Sequence, residues 1–429
     1  MQIHEDFLSY LWQYKLFDIN NLKDNLGKKI TILQSGIRNS FGGPDFFNAK
    51  IKIGEQVWAG NVEIHVNASD WYKHLHQEDP FYDNVILHVV WHKDAEILDK
   101  HKIVIPCIEL SRLTNTSILN NYRDLIYGKP LFVSCETHLK CVDPMFLNHW
   151  QERLFIERLE HKSEFIENLL KSNKGDWEQT LYMLLARNFG LNVNGEAFFY
   201  LAKTITWSMI KRERYDLICI EALFFGQTNL LKDAEHGTYQ NELLEIYYFL
   251  KYKYKLPDYS ILMQFGRLRP PNFPTIRIAQ FAALIHTVKG LFSNIIRLEN
   301  LDDFYNLFKV KVSTFWLNHY TFQKETPFIA KTLTKSFIDL LVINTFIPLK
   351  FVYFKQIGQH NNDLLFGIME QIKPEKNKLI KSFKEIGLIS DNAMRSQALI
   401  HLKHAYCDKK RCLECEVGNY LLKTTKREA

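Results

Sequence analysis

The sequence predicts an α+β protein: a strand-rich domain over residues 1–143 and a mainly helical region over 144–429. Three observations carry this prediction. Short alternating or uniformly apolar runs, separated by Gly, Asn and Asp, crowd the first third of the chain. After Pro144, apolar residues recur three and four apart, the period of a helix with one buried face. Finally, 429 residues with 46% hydrophobic and 24% charged side chains have the balance of a folded chain with room for two or three domains.

Taken in order, "EDFLSYLWQYKLF" is a helix and "KITILQ" a strand. "DFFNAKIKIG" and "QVWAGNVEIHV" then form a hairpin-like pair turning near "GEQ", and "SDWYKHLH" is a short helix. Ser69 is the expected cap of that helix, with Trp71 and Leu75 four apart on its buried face. The strand "NVILHVVWH" is apolar on both faces, which places it inside a sheet, and "KIVIPCIEL" is a further strand. The leading order is thus α-β-β-β-α-β. Beyond it, "MFLNHWQERLFIERLEHKSEFIENLLKSN", "WEQTLYMLLARNFG" and "AFFYLAKTITWSMIKRERY" are helical, and "KTTKREA" is a frayed polar tail. The apolar stretch "SFIDLLVINTFIPLKFVYF" is interrupted by Asp339, Asn344, Pro348 and Lys350, so it is expected as a buried helix and not as a membrane span.

The N-terminus is acidic where a secretory leader is basic, and a cytoplasmic protein is expected. Seven cysteines, an odd number, suit reduced thiols or a metal site better than a disulfide framework. A net charge of +6 permits an anionic partner.

Asp45 enters one strand of the pair and Glu63 lies on the next, 18 positions on, so a turn between them brings the two carboxylates side by side. On a strand, Glu63 and His65 share a face. Such oxygens suit a magnesium-type ion, which neutralises charge on a phosphodiester and lowers the pKa of an attacking water. Two other readings of these residues stay open: a turn into a strand with a solvated sheet face, or a histidine-rich metal site drawing on His74, His76, His88 and His92.

Pro44-Asp45 followed by Glu63-x-His65, in the α-β-β-β-α-β order, resembles the PD-(D/E)XK nuclease superfamily over about the first hundred residues. The resemblance implies a restriction-endonuclease-like fold, with Asp45 and Glu63 as ligands of magnesium or manganese and Glu5 as a supporting acid on the first helix. That family has lysine where this chain has His65. Histidine, with an ordinary pKa of about 6.5, is largely neutral at pH 7 and serves as base or ligand. Hydrolysis dependent on His65 is therefore expected to fade as pH drops through about 6 to 7. A second likeness spans nearly the whole chain. "GPDFFNAKI", "GNVEIHVNASDWYKH", "YDNVILHVVW", "RLRPPNFPTIRIAQFAAL" and "YCDKKRCLECEVG" are similar to a bacterial family, common in Bacteroidetes, designated a domain of unknown function.

In the helical region, Arg267, Arg269 and Arg277 flank two prolines that impose extended backbone. They are candidate contacts to a nucleic-acid backbone, or alternatively ties between this loop and acidic helices, with Pro274 opening the next helix. Near the C-terminus, Cys407, Cys412 and Cys415 have C-x4-C-x2-C spacing, and His404 completes a Cys3His zinc set. An iron–sulfur cluster is the alternative and needs a fourth cysteine from Cys107, Cys135, Cys141 or Cys219. The expected function is that of a metal-dependent nuclease or phosphodiesterase, a hydrolase acting on DNA or RNA. The alternative is a catalytically inactive nuclease-fold protein that binds nucleic acid or serves in assembly.

Overall fold

The computed structural model describes residues 3–424 except Leu26, Ser40, Pro130, Asp233, Tyr259, Ser260 and His360, and it leaves the Cys141 side chain aside. All but the first two residues of the expected "KTTKREA" tail lie outside the described residues. The protein is α+β, with an N-terminal mixed sheet and a mostly helical remainder. It divides into two compact units: residues 1–150 with 381–389 and 400–429, and residues 151–380 with 390–399. The change in sequence character near Pro144 lies close to this boundary, while the C-terminal segment belongs to the first unit.

In the first unit, helix α1 (Glu5–Tyr14) buries Phe7, Leu8, Leu11 and Trp12, an i, i+4 stripe that faces the sheet. It stops where Lys15 turns left-handed at φ 52. The sheet contains β1 (Ile30–Gln34), β2 (Ile37–Arg38), β3 (Phe46–Ile53), β4 (Gln56–Asn67), β5 (Val85–His92) and β6 (Cys107–Glu109). Its path runs β1-β3-β4-β5-β6, with β2 paired to β3. Strand β3 is antiparallel to β1 and β4, whereas β4, β5 and β6 are mutually parallel.

Between β4 and β5 the chain crosses over through α2 (Asp70–Lys73). This helix is shorter than expected. Ser69 does not cap it but bonds Asp94 through both its N–H (2.8 Å) and its hydroxyl (2.6 Å). Leu75 falls beyond the helix end at φ 59 and is exposed, so only Trp71 of the expected pair is buried. Central β5 is buried from Ile86 to Trp91, as expected of a strand with neighbours on both sides. Gly60 of β4 permits the close approach of β5, since a Cβ there would lie 2.4 Å from Ile86 Cγ2 and 2.6 Å from the Asn84 carbonyl.

In the second unit, the expected late apolar helix runs Lys335–Gln356 through a π-helical turn, Val342–Phe346. By length and composition alone it is apolar enough to cross a membrane, but 72% of its most apolar window is buried inside the structure. Its polar interruptions are satisfied locally. Asp339 accepts from the Tyr305 hydroxyl (2.6 Å), and Lys350 donates to the carbonyls of Ile295, Ile296 and Leu298.

Candidate carboxylate and histidine site

A β-bulge sets the carboxylate pair. The register between β3 and β4 moves from Ala49 opposite Gly60 to Phe46 opposite Val62, three residues on one strand against two on the other. Asn48 takes up the extra residue at φ 58. Continued without this shift, the pairing would set Asp45 opposite Ile64; with it, Asp45 comes opposite Glu63. The two segments then clasp: the Asp45 N–H donates to Glu63 Oε2 (3.1 Å) and the Ile64 N–H donates to Asp45 Oδ2 (3.0 Å). Glu5, at the start of α1, accepts from the Val66 N–H and acts electrostatically on both carboxylates.

Behind the pair stands a chain of imidazoles. Parallel pairing sets Glu63 beside His88. His65 Nδ1 lies 2.8 Å from His88 Nε2, and His65 Nε2 lies 3.1 Å from His74 Nδ1. Glu63 Oε1 joins this array, 3.3 Å from His76 Nε2 and 3.5 Å from His65 Nε2. His76 is stacked on Tyr82 with ring centres 3.8 Å apart. Each of His65, His74 and His76 brings a nitrogen within 4.8 Å of the other two; His65 is buried, His76 half-buried and His74 exposed, so the cluster opens to solvent and is able to hold a metal ion.

Burial pushes Asp45 up to about 7, helped by the neighbouring Glu63, and pushes Glu63 up to about 8. Glu5 is raised as well, chiefly by burial. Burial and the surrounding imidazoles drive His65 down to about 2 and His88 to about 3, and burial also lowers His76. His65 therefore stays neutral across the pH range in which free histidine titrates. The expected fading of activity between pH 6 and 7 has no basis in its titration here. Its two nitrogens face other histidines, which fits a ligand or positioning group better than a free base.

Elsewhere the sequence candidates meet different surroundings. Arg267 and Arg269 are exposed. Arg277 is not: it sits in helix Pro274–Thr287, which does begin at Pro274, with its guanidinium 3.7 Å over the Phe337 ring and bonded to Asn272 (2.6 Å) and Gln280 (3.0 Å). In that position it is unavailable to a phosphate. His404 is exposed, faces Asp408 at 3.1 Å and does not line the cavity that Cys407, Cys412 and Cys415 share. His92 lies at the exposed end of β5, 3.8 Å from Glu109, and takes no part in the histidine chain. Of the histidines that the histidine-rich reading drew on, His74, His76 and His88 do gather around His65, and His92 does not.

The α+β fold thus sets a carboxylate pair beside a histidine cluster, His65, His74 and His76, that could hold a metal ion. The chain belongs to the family described as "Protein of unknown function (DUF2851)", whose model matches residues 5–378. That span contains the carboxylates and the histidine chain and stops short of the C-terminal cysteines. No curated protein and no solved structure matches the chain.

Proposed function

We propose that this protein is a divalent-cation-dependent phosphodiesterase of the PD-(D/E)XK kind, acting on nucleic acid. The observation that carries the proposal is the bulge-set convergence of Asp45 on Glu63 at the sheet, within the element order α1, β1, β3, β4, α2, β5. The residues fit an ion. The carboxylates of half-buried Asp45 and buried Glu63 stand together, and the cation acting on Asp45 is Arg38, itself paired with Asp6 at 2.7 Å. Asp45 and Glu63 would hold the ion, and Glu5 would support it. A bound divalent cation supplies charge neutralisation at the phosphate and a more acidic attacking water.

The chain's own groups supply the rest. The Asp45 and Ile64 N–H groups fix the orientation of both carboxylates, and His65 braces His74 and His76 next to Glu63. Nitrogen donors beside carboxylate oxygens favour manganese or another borderline ion over magnesium. A net charge of +6 and the exposed Arg267 and Arg269 suit a polyanionic substrate. One feature favours a second reading, an inactive nucleic-acid-binding or assembly protein: where the nuclease pattern has a lysine, His65 is enclosed by His88 and His74.

The test is cleavage of single-stranded, duplex and branched DNA and of RNA, with magnesium or manganese. Wild type should cleave at least one substrate, faster with manganese. Asp45→Asn and Glu63→Gln should each lose more than the about 10- to 100-fold typical of groups that merely orient a ligand. Binding with no cleavage of any substrate selects the second reading, and cleavage unchanged in both variants refutes the site.

A further inference from the structure

Four cysteines from distant parts of the chain meet in the first unit. Cys135 precedes the 3-10 turn Glu136–Cys141, Cys407 ends a π-helical turn (Leu402–Cys407), and Cys412 and Cys415 follow it. All four line one small cavity, together with Arg411 and Gly418. Cys415 is buried, the other three are half-buried, and all are free thiols. Cys407 feels the charges of Cys415, Cys135 and Cys412, so its sulfur is within electrostatic reach of all three. The remaining candidates are placed elsewhere. Cys107 packs in a core cluster with Trp71 and Val90, Cys219 belongs to helix Leu217–Gln227, and the side chain of Cys141 lies outside the described residues.

The spacing of the sulfurs decides what they can hold. Four thiolates on one zinc ion at about 2.3 Å would stand about 3.8 Å apart, as the corners of a tetrahedron. Among the described residues, only His65, His74 and His76 bring three ligand atoms within 4.8 Å of one another. The cysteines thus surround a common space without closing on a single ion, the arrangement expected around a polynuclear core.

Their surroundings agree. The Cys415 sulfur accepts from the N–H groups of Val417 and Gly418, in the first turn of helix Glu416–Lys423, and from Trp150; the Ser134 side chain bonds Cys412. Hydrogen bonds to sulfur and nearby cations, here Lys403 acting on Cys407 and Lys410 acting on Cys412, are what stabilise a cluster carrying net negative charge. Gly418 lets the Cys412 loop close in, because a Cβ at that position would lie 1.9 Å from the Cys412 carbonyl oxygen.

We propose that Cys135, Cys407, Cys412 and Cys415 ligate an iron–sulfur cluster that clips the C-terminal segment to the stretch around Cys135 within the first unit. His404 has no part in it. The site is independent of the carboxylate site, and either stands if the other fails.

The full chain, purified anaerobically from iron-supplied cells, is analysed for iron, acid-labile sulfide and zinc, with visible absorbance and electron paramagnetic resonance after reduction. Iron and sulfide in equal numbers are expected, two of each for a binuclear cluster or four of each for a cubane. Cys135→Ala should lose both iron and absorbance, and His404→Ala should keep them. One zinc per chain without sulfide, absence of both metals, or iron undiminished in a folded Cys135→Ala would overturn the proposal. Where Cys135→Ala does not fold, the composition of the wild type decides alone.

Discussion

At the scale of single residues, the site stores opposed protonation preferences. Asp45 and Glu63 titrate at about 7 and about 8 in the fold, against about 4 in an unfolded chain. Between those limits the folded protein holds protons that the unfolded chain has released, so stability falls as pH rises. The buried histidines slope the other way. His65 and His88, held at about 2 and about 3, stay neutral while their unfolded counterparts protonate below about 6.5, so stability falls as pH drops through that range. Above about 6.5 only the carboxylate slope remains. Metal-free protein is therefore expected to lose on the order of 2 kcal/mol between pH 6.5 and 8, at about 1.4 kcal/mol per pKa unit. Manganese should restore the loss, and the Asp45→Asn, Glu63→Gln double variant should show neither effect. Denaturant unfolding across that pH range checks this; a slope that persists in the double variant would trace it to other groups.

At the scale of elements, one extra residue in β3 decides whether two carboxylates face each other. Asn48 occupies the bulge at φ 58, a region that Asn enters more readily than most side chains. Asn48→Val places at the bulge a β-branched side chain that avoids the left-handed region, and so favours regular pairing at unchanged length, in which Asp45 falls opposite Ile64 and its side chain leaves the Glu63 face. Asn48→Val should abolish the rise in melting temperature caused by manganese, whereas Asn48→Gly, which keeps the left-handed conformation, should preserve it. Thermal melts with and without the ion are the measurement. An intact metal response in Asn48→Val would mean that the carboxylates do not depend on the bulge.

At the scale of the whole molecule, the first unit is discontinuous in sequence. Residues 400–429 belong with 1–150. The contribution is a core one: Leu402, Tyr406, Val417 and Leu422 are buried, and Asn121 of helix Thr116–Tyr127 donates to the carbonyls of Leu421 (3.0 Å) and Thr424 (3.1 Å). A chain ending at residue 399 would uncover Leu125, which lines a cavity with Tyr406 and Gly418, and would leave Asn121 without these acceptors. It is expected to lose the cooperative unfolding of the sheet unit, with hydrogen-exchange protection in β4 and β5 reduced toward that of an open state. Native protection in the truncated chain would show that the sheet stands without its C-terminal complement.

By itself the sequence determined the main helix and strands leading to the site, the buried central strand at "VILHVV", the helical character after Pro144 and the burial of the apolar Lys335–Gln356 helix, because period and punctuation are local properties. It also marked Asp45, Glu63 and His65 as neighbours in a hairpin. The tertiary structure decided what local patterns cannot encode. The bulge at Asn48 chose which β4 residue Asp45 would meet, since register depends on both strands. Parallel pairing of β4 and β5 put His88 behind His65, and burial then set the charge of each group. Packing hid Arg277 under Phe337 and turned His404 toward Asp408, while chain return brought Cys135 to three cysteines more than two hundred and seventy positions away. Spacing along the chain names candidate ligands, but only the fold sets the distances between their donor atoms, and on those distances rests the choice between a single ion and a cluster.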